Sequence, residues 1–250
     1  MLQKNISVSI LLITFNHSKN FVLAEKDPYY SRGEVSNSDL SALAKYWMPG
    51  DLVYDIEIAY RFGTLVDAMI TEQDKINYYK LTCAGEVYSR KEFDLAEGMA
   101  KSFWNDPLCA LLAKNSEMQK VSTEPKFRIE YNGYVFYVSA RCKWDLYAKH
   151  TLGITGDIKS TTATTEKQFI AACAHFQYFR QRAWYMDIEN VEKDMLIGIS
   201  KVNKKVFKVP IVRGGEFYQI GKEQYQELAF KHWYLFGNID YSMEQYKIAA

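Results

Sequence analysis

Apolar residues recur along this chain at two different spacings, and the change between them falls near residue 117. Ile58, Phe62, Leu65, Val66 and Met69 lie three or four apart, which is the period of one helix face and predicts a helix over Asp55–Thr71. Ser38 is read as the N-cap of an earlier helix that runs through Trp47 and stops at Pro49-Gly50. Glu92–Trp104 and Pro107–Lys114 continue the pattern, so residues 36–117 read as mainly helical. Strand signals follow. Lys126–Tyr131 and Tyr134–Leu146 flank Asn132-Gly133, a pair that suits a type I′ hairpin turn, and Ile154–Ser160 reads as a third strand. Helices are expected at about Glu166–Ala174 and Phe176–Ile188. Strands at Met195–Val202 and Val206–Val212 follow, joined through Asn203-Lys204-Lys205, and a helix over about Lys222–Phe236 closes the chain. Ahead of all these, Ile6–Phe15 and Phe21–Ala24 suggest a hairpin.

Helices, three strands, two helices, two strands and a helix make a mixed sheet flanked by helices, an α/β or α+β architecture with a helical N-terminal portion. No internal repeat or low-complexity linker divides the chain, and its 250 residues suit one domain. Within it, 1–34 is a hairpin-like extension, 35–117 is mainly helical, and 118–250 carries the sheet and its helices.

Composition narrows the reading only a little. Hydrophobic residues at 48% and charged residues at 24% describe an ordinary globular chain. A formal net charge of +1 provides no overall field for nucleic acid, so any such field must be local or supplied by metal ions. Aromatics reach 15%, with 19 tyrosines that could serve a core, an interface or base stacking. Cys83, Cys109, Cys142 and Cys173 are far apart and form no C-x-x-C pair, which argues against a zinc or iron–sulfur site and for reduced, partly buried thiols. His17, His150, His175 and His232 share no ligand spacing. The run Ile6–Phe15 is short, holds Ser7, Ser9 and Thr14, and lacks a small-residue cleavage site, so it reads as a strand. No membrane association and a cytoplasmic location are the default expectations.

The chemically suggestive residues are Asp145 and, with Asp157 twelve residues later, Gly156-Asp157-Ile158-Lys159-Ser160-Thr161. Asp157 and Lys159 are two apart, so on a strand their side chains leave the same face. Two carboxylates and an ammonium on neighbouring strands suit metal-dependent phosphodiester hydrolysis: one group holds a divalent cation while another sits beside the attacking water. A D-x-K triplet alone is a weak signal, and its value comes from its neighbours. Other features read more plainly. Ser160-Thr161-Thr162 ends a strand, Gly63-Thr64 has no following G-K-[ST], Gly214-Gly215 makes a turn, and Lys201, Lys204, Lys205 and Lys208 form a solvated basic tip or a phosphate contact.

Several ordered pieces over residues 35–236 resemble the PD-(D/E)xK nuclease superfamily, in particular its RecE-like and RecB-like exonucleases, among them the phage-type recombination exonucleases. Val35-Ser36-Asn37-Ser38-Asp39-Leu40 looks like the family's S-x-S-x-L helix start. Arg61-Phe62-Gly63-Thr64-Leu65-Val66-Asp67 is similar to F-G-T-x-x-H, with Asp67 standing where the family has His. Glu124 precedes the hairpin. Arg141-Cys142-Lys143-Trp144-Asp145 is similar to K-x-R-x-D, and Gly156–Thr161 to D-x-K-T-T. Tyr178-Phe179-Arg180-Gln181-Arg182-Ala183-Trp184-Tyr185 is similar to Y-x-x-Q-x-x-x-Y.

The resemblance implies a restriction-endonuclease-like sheet and a Mg2+- or Mn2+-dependent exodeoxyribonuclease acting on duplex DNA with a free end. It implies Asp145, Asp157 and the Ile158 carbonyl as metal ligands, Lys159 as the group beside the water, and Asp67 and Glu124 as outer or second-metal ligands. Gln181 and Tyr185, four apart on one helix face, would line the site. A homo-oligomer and a single-strand annealing protein as recombination partner are implied in the same way. Two alternatives stay open: a catalytically silent DNA-binding or scaffolding member of the fold, and an endonuclease or RNA-acting relative.

Overall fold

A computed structural model of the protein describes Tyr29, residues 32–47 and residues 56–237. The expected hairpin over Ile6–Phe15 and Phe21–Ala24, and the stop at Pro49-Gly50, lie outside these residues.

Helix α1 (Asn37–Trp47) begins one residue after Ser36. Ser36, rather than the expected Ser38, caps it: its hydroxyl and backbone N–H both donate to Asp39, at 2.7 and 2.8 Å. Helix α2 (Ile56–Thr71) follows the predicted period. Residues 76–87 depart from the helical expectation. They form a small antiparallel sheet of β1 (Ile76–Asn77), β2 (Thr82–Cys83) and β3 (Glu86–Val87). Leu81 and Ala84 adopt positive φ between these two-residue strands, and runs this short carry too little periodicity to register in the sequence. Helix α3 (Arg90–Asn105) starts from a reciprocal Ser89–Glu92 capping box, and α4 (Pro107–Lys114) from Asp106 with proline in the first turn.

The main sheet has five strands in sequential order: β4 (Glu117–Tyr131), β5 (Tyr134–Ala148), β6 (Ile154–Thr161), β7 (Lys193–Ser200) and β8 (Val206–Val212). β6 and β7 are parallel and every other neighbouring pair is antiparallel. The parallel step is made by a crossover through α5 (Glu166–His175) and α6 (Tyr178–Glu189), and α7 (Glu216–Phe236) ends the described chain. The hairpin between β4 and β5 turns at Asn132 and Gly133, both at positive φ, as a type I′ turn requires. The architecture is α+β: a mixed sheet between helices, with a helical N-terminal part.

Two apolar clusters cover the two faces of the sheet. One joins α1, α6 and α7 to residues such as Phe127, Trp144, Leu196 and Val209. The other joins α2, α3 and α4 to Leu146, Ile158, Met195 and Ile197. Helices α6 and α7 meet closely at Gly221, where any side chain would run into the Phe179 backbone carbonyl and the Ala183 methyl.

Strand β5 does not keep its alternation. Ala140, Cys142 and Trp144 pack on the α6 side, but Leu146 and Ala148 pack on the α2 side, although all are even-numbered. A regular strand would hold them on one face, so the strand slips by one residue at Asp145. The ladder shows the same irregularity. Met118 pairs with Leu146 and Lys120 with Trp144, while Gln119 between them has a positive φ of 54°. On the other side, β5 and β6 pair only over Leu146–Ala148 and Ile154–Gly156. Beyond that point the two strands part, with Asp145 and Asp157 at the opening.

Candidate active site

The opening leaves a backbone donor without a strand partner, and a side chain takes its place. Asp145 accepts the Ile158 N–H at 2.7 Å. A residue's N–H and C=O leave a strand toward the same neighbour, so the Ile158 carbonyl also faces the Asp145 side of β6. Asp157 and Lys159 share a face as expected, and their charged atoms are 2.6 Å apart.

Asp157 is held from beneath by a residue that the motif contained without marking it. Arg182, fully buried on α6, donates to Asp157 Oδ1 at 2.8 Å and to both carboxylate oxygens of Asp194. Asp194, at the start of β7, also accepts the Thr155 hydroxyl at 2.7 Å. The guanidinium lies 4.7 Å from the Tyr185 ring centre and 5.0 Å from that of Trp144. An ion pair this deep needs its remaining donors satisfied, and the second carboxylate does that. Asp157 Oδ1 is therefore committed to Arg182. Asp157 Oδ2 is buried, makes no hydrogen bond of good geometry, and faces the Lys159 ammonium.

Asp67 arrives from α2, in the opposite helical layer, and the parted strands bring it within electrostatic reach of the other groups. Gln119, the residue at the irregular point of β4, donates to Asp67 Oδ2 and to the Thr71 hydroxyl, each at 2.9 Å. Burial pushes the Asp67 carboxyl up to about 6, with the Lys159 ammonium opposing and the Asp157 charge adding to the shift. Burial, and then the charges of Asp67 and Asp157, push the Asp145 carboxyl well above its ordinary range. Burial works against the charge of Lys159, but Asp157 and Asp145 outweigh it and raise its pKa. Among the described residues, the carboxylates of Asp67, Asp145, Asp157 and Asp194 gather around the two cations Lys159 and Arg182. The cluster carries an excess of two negative charges when all its carboxylates are ionised. Protons on Asp67 and Asp145 relieve that excess, and a divalent cation would relieve it equally.

The donor set suits such a cation. Asp145, Asp157 and the Ile158 carbonyl are hard oxygen donors, and magnesium is commonly held by one or two carboxylates with water completing its octahedron. Among the described residues, no group of three or more His, Cys, Asp or Glu converges as a ready-made cage. The larger ligand set expected from the motifs is accordingly not assembled. Glu124 in particular stands apart. It lies opposite Ala140 at a bulge in β4, where its carboxylate accepts the Lys126 N–H at 3.0 Å. Five residues of strand separate it from Gln119, roughly 16 Å at the usual rise. Gln119 occupies the position on β4 nearest Asp145, and its amide brings no charge.

Gln181 and Tyr185 are joined to each other at 3.3 Å. Tyr185 is packed against Trp144 and Arg182, so it supports the site from the core, and Gln181 is half-buried beside it. The expected basic tip is partly engaged. Lys208 pairs with Asp106, and Lys201 lies over the Phe62 ring at 4.5 Å. Neither Arg182 nor Asp194 was singled out from sequence. The available signal was a second arginine in Tyr178–Tyr185, on a helix whose polar residues do not gather on one face. All four cysteines are buried and free, as the spacing suggested.

No family model matches this sequence, and no curated protein matches it. Among solved structures, that of SSO0001 is similar at 15% identity over 76% of this chain and 80% of that one, with a TM-score of 0.35. Among the described residues, no helix is long and apolar enough to cross a membrane.

Proposed function

We propose that this protein is a divalent-metal-dependent deoxyribonuclease, acting as an exonuclease on duplex DNA from a free end. The observation that carries the reading is the arrangement at the parted strands. Asp145 and Asp157 flank the Ile158 backbone, Lys159 contacts Asp157, and the four carboxylates outnumber the two cations among them, an excess that protons on Asp67 and Asp145 or a divalent ion would relieve. A bound Mg2+ or Mn2+ would supply charge neutralisation at the phosphate and an acidified water.

The chain's own groups define the rest. Asp145 and Asp157 would hold the ion, with Arg182 fixing Asp157 so that Oδ2 is presented and Oδ1 is not. Lys159 would orient the attacking water and steady the negative charge that develops on the phosphate oxygens. Asp67, with its raised pKa, would join the outer ligand sphere as its proton leaves. Restriction of the reaction to DNA ends, a homo-oligomeric form and a single-strand annealing protein as partner belong to the same proposal and rest on the motif resemblance. So does a cytoplasmic setting in phage-type recombination or repair.

End-labelled linear duplex, incubated with and without Mg2+, tests the reading directly, with closed circular DNA alongside. Shortening of the linear duplex only when Mg2+ is present is expected. Digestion of closed circles would make the protein an endonuclease. DNA binding without cleavage in either metal would make it a silent member of the fold.

A further inference from the structure

The joint between α5 and α6 carries aromatic rings in a row, exposed at Phe176 and partly buried at Tyr178, that ends on the site lysine. Phe176, which caps α5, is 57% exposed. Its ring stacks on that of Tyr178, with centroids 5.7 Å apart and planes inclined by 28°, and His175 meets its edge at 4.8 Å. The Tyr178 ring in turn lies 5.0 Å from the Lys159 ammonium, which contacts Asp157. Tyr60, on α2, is 70% exposed and close enough to influence the Tyr178 hydroxyl.

Two features set this row apart from ordinary surface aromatics. Gln177, between the two stacked residues, holds a left-handed φ of 57° without being glycine or asparagine. That backbone, fixed by an Arg180 contact to the Gln177 side chain, turns Phe176 and Tyr178 face to face. The second feature is continuity: the row leads from solvent to a cation and then to the acidic cluster. A planar aromatic ligand attached to an anionic backbone matches both ends of it.

We propose that Phe176 and Tyr178 form a stacking platform for an unpaired nucleobase at the DNA end, whose adjoining phosphate runs toward Lys159. This rests on the nuclease reading above and adds to it the part of the substrate that the site grips. Stacking on an aromatic side chain requires no particular base, so the contact would favour frayed or single-stranded ends irrespective of sequence.

The test places 2-aminopurine as the terminal unpaired base of a short overhang and measures its fluorescence with the full chain in EDTA, where no cleavage is expected. Wild type should quench the fluorophore. Phe176→Ala should lift the quenching and weaken overhang binding roughly 5- to 100-fold, the range for loss of one base stack. Phe176→Trp should restore both. Equal quenching and equal affinity in wild type and Phe176→Ala would overturn the platform, as would a Phe176→Trp variant that behaves like Phe176→Ala. Cleavage of blunt linear duplex in Mg2+ is scored separately. Cleavage without quenching would reject the platform and leave the nuclease reading standing, whereas quenching without cleavage would do the reverse.

Discussion

Asp145 accepts the backbone N–H of Ile158 at 2.7 Å, filling with a side chain the place that a neighbouring strand vacates. One carboxylate thus serves both the sheet and the proposed chemistry, and two substitutions separate these duties. Asp145→Asn keeps an acceptor oxygen for the N–H, so its stability should stay near that of wild type while Mg2+-dependent cleavage disappears. Asp145→Ala leaves the donor without a partner and should in addition lose about 1–3 kcal/mol in urea denaturation. Substantial activity in Asp145→Asn would remove this residue from the site.

Removing Arg182 should cost more than removing any surface charge. Arg182→Met leaves Asp194 in the core without a counter-charge and Asp157 with Lys159 alone, and breaking a buried pair in this way costs about 3–5 kcal/mol. Denaturant midpoints check the value. A loss below about 1 kcal/mol would place the guanidinium in a wetter setting than its full burial indicates.

Lys159→Met should retain the fold, because Asp157 keeps its Arg182 contact. Its cleavage rate should fall roughly 10²- to 10³-fold, the usual effect of losing one group that stabilises developing charge. Single-turnover digestion measures this. A rate within tenfold of wild type would leave the lysine a structural partner of Asp157.

Stability should depend on pH and on divalent ions in opposite senses. Asp67 titrates at about 6 in the folded protein, and Asp145 also lies above its ordinary range. In the unfolded chain both titrate near 3.9. The folded state therefore holds more protons between these values. The stability that those protons confer is complete below about pH 4 and is lost as pH rises through about 6. Without metal, the thermal midpoint should fall over that window after correction for other groups. Mg2+ or Mn2+ should raise it more at pH 7.5 than at pH 5, with protons released on binding. Calorimetry in buffers of differing ionisation heat reads that release, and equal metal effects at both pH values would contradict the linkage.

Asp67→His replaces one candidate ligand by another. Because the Thr71 hydroxyl adjoins the carboxylate and accepts as well as donates, it would take the ring N–H of an imidazole there and leave the unprotonated nitrogen for metal. Retained cleavage is expected, with a change in Mg2+-against-Mn2+ preference. Complete loss in a folded variant would show that the carboxylate itself is required.

Much of the scaffold was legible because its signals are local. Pro107–Lys114 and Val206–Val212 have the bounds that their patterns indicated, and Asn132-Gly133 makes the turn its residues favour. The pairing of Asp157 with Lys159 followed from the two-residue period of a strand. What escaped the pattern depends on register. Nothing local to Asp145 announces that β5 changes face there, or that Gln119 takes a left-handed backbone opposite it. The pattern began the hairpin at Lys126 and so placed Glu124 before it, whereas β4 begins at Glu117 and only the ladder shows how far along the strand Glu124 sits. Arg182 was hidden for a related reason. A guanidinium usually marks the solvent side of a helix, and this one lies in the core because two aspartates on different strands meet it there.

The contact at Gly221 has a bearing on the acidic cluster although it holds no charge itself. Because the Phe179 carbonyl sits against that bare α-carbon, α7 clamps the helix that carries Tyr178 and Arg182. Even a methyl group there would pry the two helices apart and tilt the guanidinium away from its aspartates. A change wholly remote from the aspartates would thereby loosen the frame that holds them.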